Sequence, residues 1–274
     1  MELISNKDEV LFLLQKIKQA GGSFITNFFI DDTKLSAWIA DKQFFYIEAA
    51  EGILFLRQDR NFYHIYYNTN SFDNLTALLS HHLPQKTFVT DIIGKTGDVD
   101  NIAALFSSAG FTTQTVLARY TRINKEDSDF YKAENEVEIA TAEYCDEITE
   151  MLQKNFDKYS EQVYSFSEVK KLVNDRKNIM IRDVSKIKGI LIRTILPQSS
   201  VLNNFLVNPE FLGQKIGSKL LKHYIFESKF TKRMWLWVIR DNEHAINMYQ
   251  KHGYTRDGLV DVIMILNKTN EQNS

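Results

Sequence analysis

The chain has 274 residues, 44% of them hydrophobic and 25% charged, with a formal net charge of −2, which excludes disorder along its whole length. Three prolines and 11 glycines exclude collagen-like and low-complexity sequences, and the length suits one large domain or two ordinary ones. Cys145 is the one cysteine, the start Met1–Asp8 lacks a basic, apolar leader, and no apolar run reaches the roughly 18 residues a membrane helix needs. A reducing, cytoplasmic setting without a membrane partner is therefore expected.

Hydrophobic periodicity gives the elements of the first half in order. A helix is predicted over Lys7–Ala20, a strand over Phe24–Ile30 and a helix over Asp32–Ala40, which Asp31-Asp32 would cap. Strands follow at Phe44–Ala49, Ile53–Arg57 and Phe62–Asn68. Then come a helix over Asp73–Leu83, a strand over Thr87–Ile92, a helix over Val99–Ala109 and a strand over Phe111–Ile123.

The segment from Asn124 to Glu136 is polar, charged and aperiodic, and it is the best boundary. It divides the chain into an N-terminal domain at 1–125, a linker at 126–136 and a C-terminal domain at 137–270. Residues 1–136 carry 13 Lys and Arg against 18 Asp and Glu, a net of −5; the remaining 20 and 17 give +3. Neither half has the dense basic patch that nucleic acid requires. The +3 half suits a small anionic ligand.

The second half alternates helix and strand in the same order. A helix over Thr141–Phe156 carries Ile148, Met151, Leu152 and Phe156 on one face, and a short helix over Phe166–Val173 follows. Strands are predicted at Asn178–Arg182, Gly189–Ile195 and Val201–Val207, then a helix at Gly217–Ser228, a strand at Arg233–Ile239, a helix at Glu243–His252 and a strand at Thr255–Leu266. The run Asn101–Phe111 matches His244–Tyr254: each is a short helix ending in Gly before an aromatic residue that opens a strand. The expected fold is α/β (α+β) with a mixed sheet, duplicated along the chain.

The stretch Val207–Leu221 carries the chemistry. A strand ends, a short loop containing Gly213 follows, and a helix begins at Gly217. Such a loop turns several N–H groups toward one point. The helix N-terminus adds about half a positive charge, and glycine lets an anion approach the backbone. This stretch resembles the acetyl-coenzyme A loop of the GCN5-related N-acetyltransferases (GNAT), whose pattern falls on Leu212-Gly213-Gln214-Lys215-Ile216-Gly217. Leu212 stands where the family has Arg or Gln, and Lys215 stands where it has the middle Gly. Lys215 keeps its N–H, and its ammonium can pair with phosphate; a positive φ there would strain the loop by about 1 kcal/mol or more. The following run, Trp235–Tyr254, resembles the family's next strand and helix, with Val238, Asn242, Ala245-Ile246, Tyr249 and Gly253-Tyr254 at the recurring positions.

The resemblance implies tandem acyl-CoA N-acyltransferase-like domains and acetyl transfer from acetyl-CoA to a primary amine, by direct attack in a ternary complex. It places Leu206 and Val207 against the pantetheine and thioester, Leu212, Gly213, Gln214, Lys215, Ile216, Gly217 and Ser218 around the pyrophosphate, and Asn242 as the helix cap beside the cofactor arm. Tyr249 would protonate the departing thiolate, and Tyr159 and Tyr164 would wall the acceptor. The strand before the loop offers Asn203 and Asn204 but no carboxylate, so water is the expected route for the acceptor's proton. No metal is expected, because His64, His81, His82, His223, His244 and His252 show no ligand spacing. The partners are a small-molecule or peptide amine, with a homodimer as the candidate assembly.

The first half lacks this chemistry: Asn68–Leu78 contains no glycine and brings Asp73, and Phe106 stands where Tyr249 stands. It is expected to be a degenerate copy that does not bind coenzyme A. Two alternatives stay open, a non-catalytic binding or regulatory module, suggested by Leu212 and Lys215, and transfer of an aminoacyl or other acyl group.

Overall fold

A computed structural model of the chain describes residues 1–29, 32–124, 132–161 and 163–268. Ile30, the Asp31 cap, linker residues 126–131, Gln162 and the domain's expected end at 269–270 lie outside the described residues. Two compact units form, one from Met1–Val116 with Leu259–Ser274, the other from Leu117–Gly258.

The first unit contains, in chain order, β1 (Glu2–Leu3), α1 (Lys7–Gln19), β2 (Ile25–Thr26), α2 (Asp32–Ala40), β3 (Phe44–Ala49), β4 (Gly52–Asp59), β5 (Phe62–Thr69), α3 (Phe72–His81), β6 (Thr87–Lys95) and α4 (Thr96–Ser108). Local chemistry sets these boundaries. Asn6 caps α1 by accepting from the Glu9 N–H at 2.9 Å, and Glu9 accepts in return from the Ser5 N–H at 2.8 Å. Ser71 caps α3 by accepting from the Asn74 N–H at 3.1 Å. Strand β2 is far shorter than the predicted Phe24–Ile30, because the chain leaves the sheet after Thr26. Leu54, Leu56, Leu75, Leu78, Phe88 and Phe106 centre one core, while Phe44, Ile53 and Phe55 centre another beneath α1 and α2.

The second unit contains the end of β7 (Thr112–Ile123), then β8 (Glu138–Ile139), α5 (Cys145–Asn155), α6 (Phe166–Asn174), β9 (Asn178–Arg182), β10 (Ile187–Ile195), β11 (Ser199–Val207), α7 (Ile216–Glu227), β12 (Arg233–Ile239), α8 (Glu243–Lys251) and the start of β13 (Thr255–Asn267). Its strands run in the order β7-β12-β11-β10-β9-β8. Strands β11 and β12 are parallel, and the other neighbours are antiparallel. One core holds Leu220, Leu221, Tyr224, Met234 and Leu236; a second holds Ile148, Leu152, Val169 and Ile190. Cys145 belongs to the second as a buried apolar group, with its thiol pKa pushed up by burial and by Asp146.

The compact units do not coincide with the consecutive pieces 1–125 and 137–270. Strand β7 belongs to the first half of the sequence, yet Leu117–Ile123 pairs with β12. The end of β13, from Leu259 to Asn267, pairs with β6 and completes the first unit's order β1-β3-β4-β5-β6-β13. Side-chain alternation agrees: Val260, Val262, Met264 and Leu266 enter the first unit's core, and Ala118 and Tyr120 enter the second's.

Candidate functional site

The site starts where two strands part. The parallel pairing of β11 with β12 runs from Ser199↔Arg233 to Leu202↔Leu236 and stops. Beyond it β11 stays bonded to β10 as far as Val207, and β12 to β7 as far as Ile239. The strand edges at Asn203–Val207 and Trp237–Ile239 thus leave a fork. A register shift at Ile192/Arg193 accompanies it. Leu202 packs on the α7 side before this irregularity and Phe205 and Val207 after it, while Leu206 turns to the α5 and α6 side.

The connection from β11 to α7 is held from below. Asn208 accepts from the Glu210 N–H at 3.1 Å, and Glu210 is ion-paired with Lys186 at 2.8 Å. Leu212 is extended and 61% exposed. Gly213 has φ +80° with open space where a Cβ would lie. Lys215 is left-handed, with φ +61° and ψ +15°. The condition set on this lysine therefore resolves to a positive φ, and the loop carries that strain. Gly217 serves a different purpose: a Cβ there would lie 3.3 Å from Phe205 Cζ and 3.4 Å from Met248 Sδ. Its absence lets α7 settle closely against β11 and α8.

Helix α7 presents its N-terminus bare. Lys215 makes no side-chain cap and the first turn holds no acidic residue. Its leading N–H groups, including those of Gly217 and Ser218, have no carbonyl within the helix to bond. The end of α3 in the first unit differs, since Ser71 closes it and Asp73 stands in its first turn. An anion is thus favoured at α7 and opposed at α3.

Fork, loop and helix end border a cleft of about 690 Å³, within the range of small-molecule sites. Phe205, Val207, Leu212, Gly213 and Lys215–Ser218 line one side, and α8 lines the other with His244, Met248, Tyr249 and Lys251. Asn242 caps α8 by accepting from the Ala245 N–H at 3.1 Å. Tyr249 is 5% exposed, and its ring lies 5.9 Å from that of Tyr254 and 6.4 Å from that of Phe205. Burial first, then Tyr224, pushes its phenol pKa well above the ordinary Tyr value. His252 also faces the cleft, with Nε2 3.3 Å from Ser218 Oγ. Burial, Lys222 and Arg122 hold its pKa below the ordinary His value.

Most of the sequence-predicted positions, Val207, Leu212, Gly213, Lys215–Ser218 and Tyr249, line this one cleft. Gln214 sits in the same loop, Asn242 at the head of α8, and Leu206 at the fork facing the other way. Tyr159 and Tyr164 are not brought to it. Tyr164 is 5% exposed in the core with α5 and α6, and Tyr159 sits in a turn closed by Asp157. Sequence reading missed His244, Met248, Lys251 and His252 as cleft residues. The first three share one face of α8 by helical spacing, which was the available signal. Among the described residues no group of three or more His, Cys, Asp or Glu could hold a metal ion. No described helix is long and apolar enough to cross a membrane.

Comparison with known proteins extends these observations. Residues 145–254 match the model of the Acetyltransferase (GNAT) family. A 63-residue stretch, 22% of this chain, is 32% identical to the spermine/spermidine N(1)-acetyltransferase of Bacillus subtilis, and the match spans 41% of that protein's length. Among solved structures, a tandem GNAT protein from the clavulanic acid biosynthesis pathway superposes with a TM-score of 0.61 at 11% identity, over 98% of both chains. A GNAT-family acetyltransferase from Colwellia psychrerythraea gives 0.55 at 14% identity, over 96% of this chain and 98% of that one. At such identities these superpositions speak to fold, and they show that both halves of the chain have the GNAT-like fold.

Proposed function

We propose that the second unit, whose residues 145–254 match the model of the Acetyltransferase (GNAT) family, transfers an acetyl group from acetyl-CoA to a primary amine. The observation that carries this reading is the fork between β11 and β12, opening on a cleft whose far end is the bare N-terminus of α7. The residues present fit the ligand. A diphosphate suits uncapped N–H groups beside Gly213 and Lys215, and a linear amide-containing arm suits a strand edge that leaves its parallel neighbour after Leu202.

Bound acetyl-CoA would supply an activated acyl group as a thioester. The edge of β11 over Asn203–Val207, Leu206 and Val207 included, would hydrogen-bond the arm. Leu212–Ser218 would hold the pyrophosphate, and Lys215 would add an ammonium to the backbone donors. Asn242 positions α8 and through it Tyr249. The Tyr249 hydroxyl would give its proton to the sulfur as the C–S bond breaks; its raised pKa keeps that proton in place at any neutral pH. The acceptor must lose a proton before attack, and water at the fork is the proposed route. This reading keeps the acetyl donor and the proton donor in one unit.

The non-catalytic alternative draws on the left-handed Lys215 and the exposed Leu212. Calorimetric titration with acetyl-CoA separates the two readings: binding is expected, and no heat at millimolar ligand would remove the enzyme reading. An acetylation screen across amines, amino acids and peptides identifies the acceptor. Polyamines come first in that screen, given the matched stretch in the Bacillus subtilis acetyltransferase.

A further inference from the structure

The first unit has a fork of its own. The parallel pairing of β5 with β6 is confined to Phe62↔Thr87, Tyr63↔Phe88 and His64↔Val89. Beyond it β5 stays bonded to β4 as far as Thr69, and β6 to β13 as far as Lys95. Two backbone edges are thereby released from each other, as in the second unit.

This gap contains the side chain of Asn27. Its Oδ1 accepts from the Tyr67 N–H at 2.7 Å. Its Nδ2 donates toward Ile65 O, Asp91 O and Thr90 Oγ1, each at 3.2 Å. These partners fix the amide's orientation, because a backbone N–H requires the oxygen and two carbonyls require the NH₂. Ile65 C=O and Tyr67 N–H, two residues apart, form the pair that a single residue of a parallel neighbour would engage. One side-chain amide thus replaces a strand residue against β5 and reaches β6 at the same time.

The surrounding segment is anchored on both sides. Ile25 and Thr26 pair with Thr69 and Asn68. Thr26 Oγ1 donates to Asn68 Oδ1 at 2.8 Å and accepts from the Phe28 N–H at 2.9 Å. The Phe28 ring lies 4.9 Å from Phe55 and 5.6 Å from Tyr66. The segment falls between the unit's first two helices, as residues 156–165 do between α5 and α6. In the second unit that turn is folded back by Asp157, whose carboxylate accepts from the N–H groups of Tyr159 and Ser160.

We propose that the fork of the first unit is a groove for a linear amide that the chain fills itself: the Asn27 amide occupies the place of a ligand amide. The first unit is thereby closed to pantetheine-type arms, and the second unit is the single acyl-carrier site. The comparison rests on reading the second unit's fork as the place where the donor's amides bond. The closing of the first fork rests on Asn27, with Ile25 and Thr26 paired beside it on β5.

The test deletes the amide and returns it. Asn27→Gly removes the atoms of acetamide from the full chain, so acetamide is the probe. Thermal melting of the variant is expected to fall by several degrees, and acetamide is expected to restore part of the loss in the variant while leaving the wild type unmoved. A variant that melts like the wild type, or acetamide that shifts both proteins equally, overturns the proposal. Should Asn27→Gly not fold, Asn27→Asp keeps the shape and the acceptor while losing both donors and setting a charge against two carbonyls. It is expected to lower the midpoint, and an unchanged midpoint overturns the proposal. Titration of the wild type with coenzyme A is expected to give one molecule per chain; two would overturn it. A titration giving none counts against the cofactor reading of the second unit, and the acetamide comparison then decides the first fork independently.

Discussion

A phenol buried as deeply as that of Tyr249 keeps its proton wherever the protein is folded and the pH is near neutral, so it can act as an acid and hardly as a base. Removing the hydroxyl by Tyr249→Phe leaves ring packing against Phe205 and Tyr254 in place. Turnover is expected to fall by roughly a hundredfold to ten-thousandfold, the usual worth of a positioned general acid, with acetyl-CoA affinity nearly unchanged. Steady-state kinetics with a calorimetric binding control checks this, and an unaltered rate removes Tyr249 from the acid role. Lys215 invites the opposite kind of test. Its left-handed backbone costs roughly 1–2 kcal/mol for a residue with a side chain, offset in part by the greater chain entropy that glycine loses on folding. Lys215→Gly is therefore expected to raise stability by up to about 1 kcal/mol while lowering affinity for coenzyme A. Denaturant unfolding and titration should move in opposite directions. Movement of both together would mean that the ammonium does not meet phosphate. None of this strain was visible in the sequence, because lysine carries no sign of its φ; the loop pattern marked the position, and only the backbone revealed the conformation.

At the scale of elements, periodicity was most informative where one face is buried. Arg233–Ile239 alternates Met234, Leu236 and Val238 inward with Trp235 and Trp237 outward, and its predicted and observed limits agree. The two-residue strands Glu2–Leu3 and Glu138–Ile139 are too short for any period and went unpredicted. The site's motifs were legible because Gly213, Gly217, Asn242 and Tyr249 are local in sequence. Asn27 was not, since its partners on β5 and β6 lie some 40 and 64 residues away. Strand β13 also buries a polar residue on the face opposite to Val260 and Val262. Asp261 is 6% exposed, with a carboxyl pKa well above the ordinary value, first by burial and then by the charge of Asp91. The sign follows from linkage. The unfolded carboxyl ionises near pH 4 and the folded one at higher pH, so this group's contribution to stability is fully present only below about pH 4. It falls as pH rises from there through the folded pKa. Asp261→Asn keeps the shape without the charge. It is expected to be more stable than the wild type at neutral pH and to lose the carboxyl's share of the pH dependence. Melting curves between pH 4 and pH 8 check this, and parallel curves for the two proteins would mean that Asp261 is not the titrating group.

For the whole molecule, composition pointed to a cut at 124–136, because charge and lack of periodicity mark a boundary in the chain but say nothing of which strand pairs with which. Strand β13 illustrates the gap: its limits follow from Val, Ile and Leu content, yet its register with β6 depends on a partner far earlier in the sequence. Val260, Val262, Met264 and Leu266 are all buried in the first unit's core. At about 1.5–3 kcal/mol for each buried side chain, their loss would remove roughly 6–12 kcal/mol, comparable with the whole stability of an ordinary domain. A fragment of residues 1–125, the piece that composition alone would choose, is therefore expected to lack a cooperative thermal transition. Adding a peptide of residues 255–268 in trans should restore one, with a midpoint that rises with peptide concentration by mass action. Residues 117–258 retain β7 beside β12, together with the fork, the loop, α7 and α8. That fragment is expected to melt cooperatively and to bind acetyl-CoA, whereas residues 137–274 lack β7 and expose the edge of β12. Circular dichroism melts of the three fragments decide between the two divisions, and a cooperative transition in 1–125 alone would show that the first unit does not need the chain's last strand.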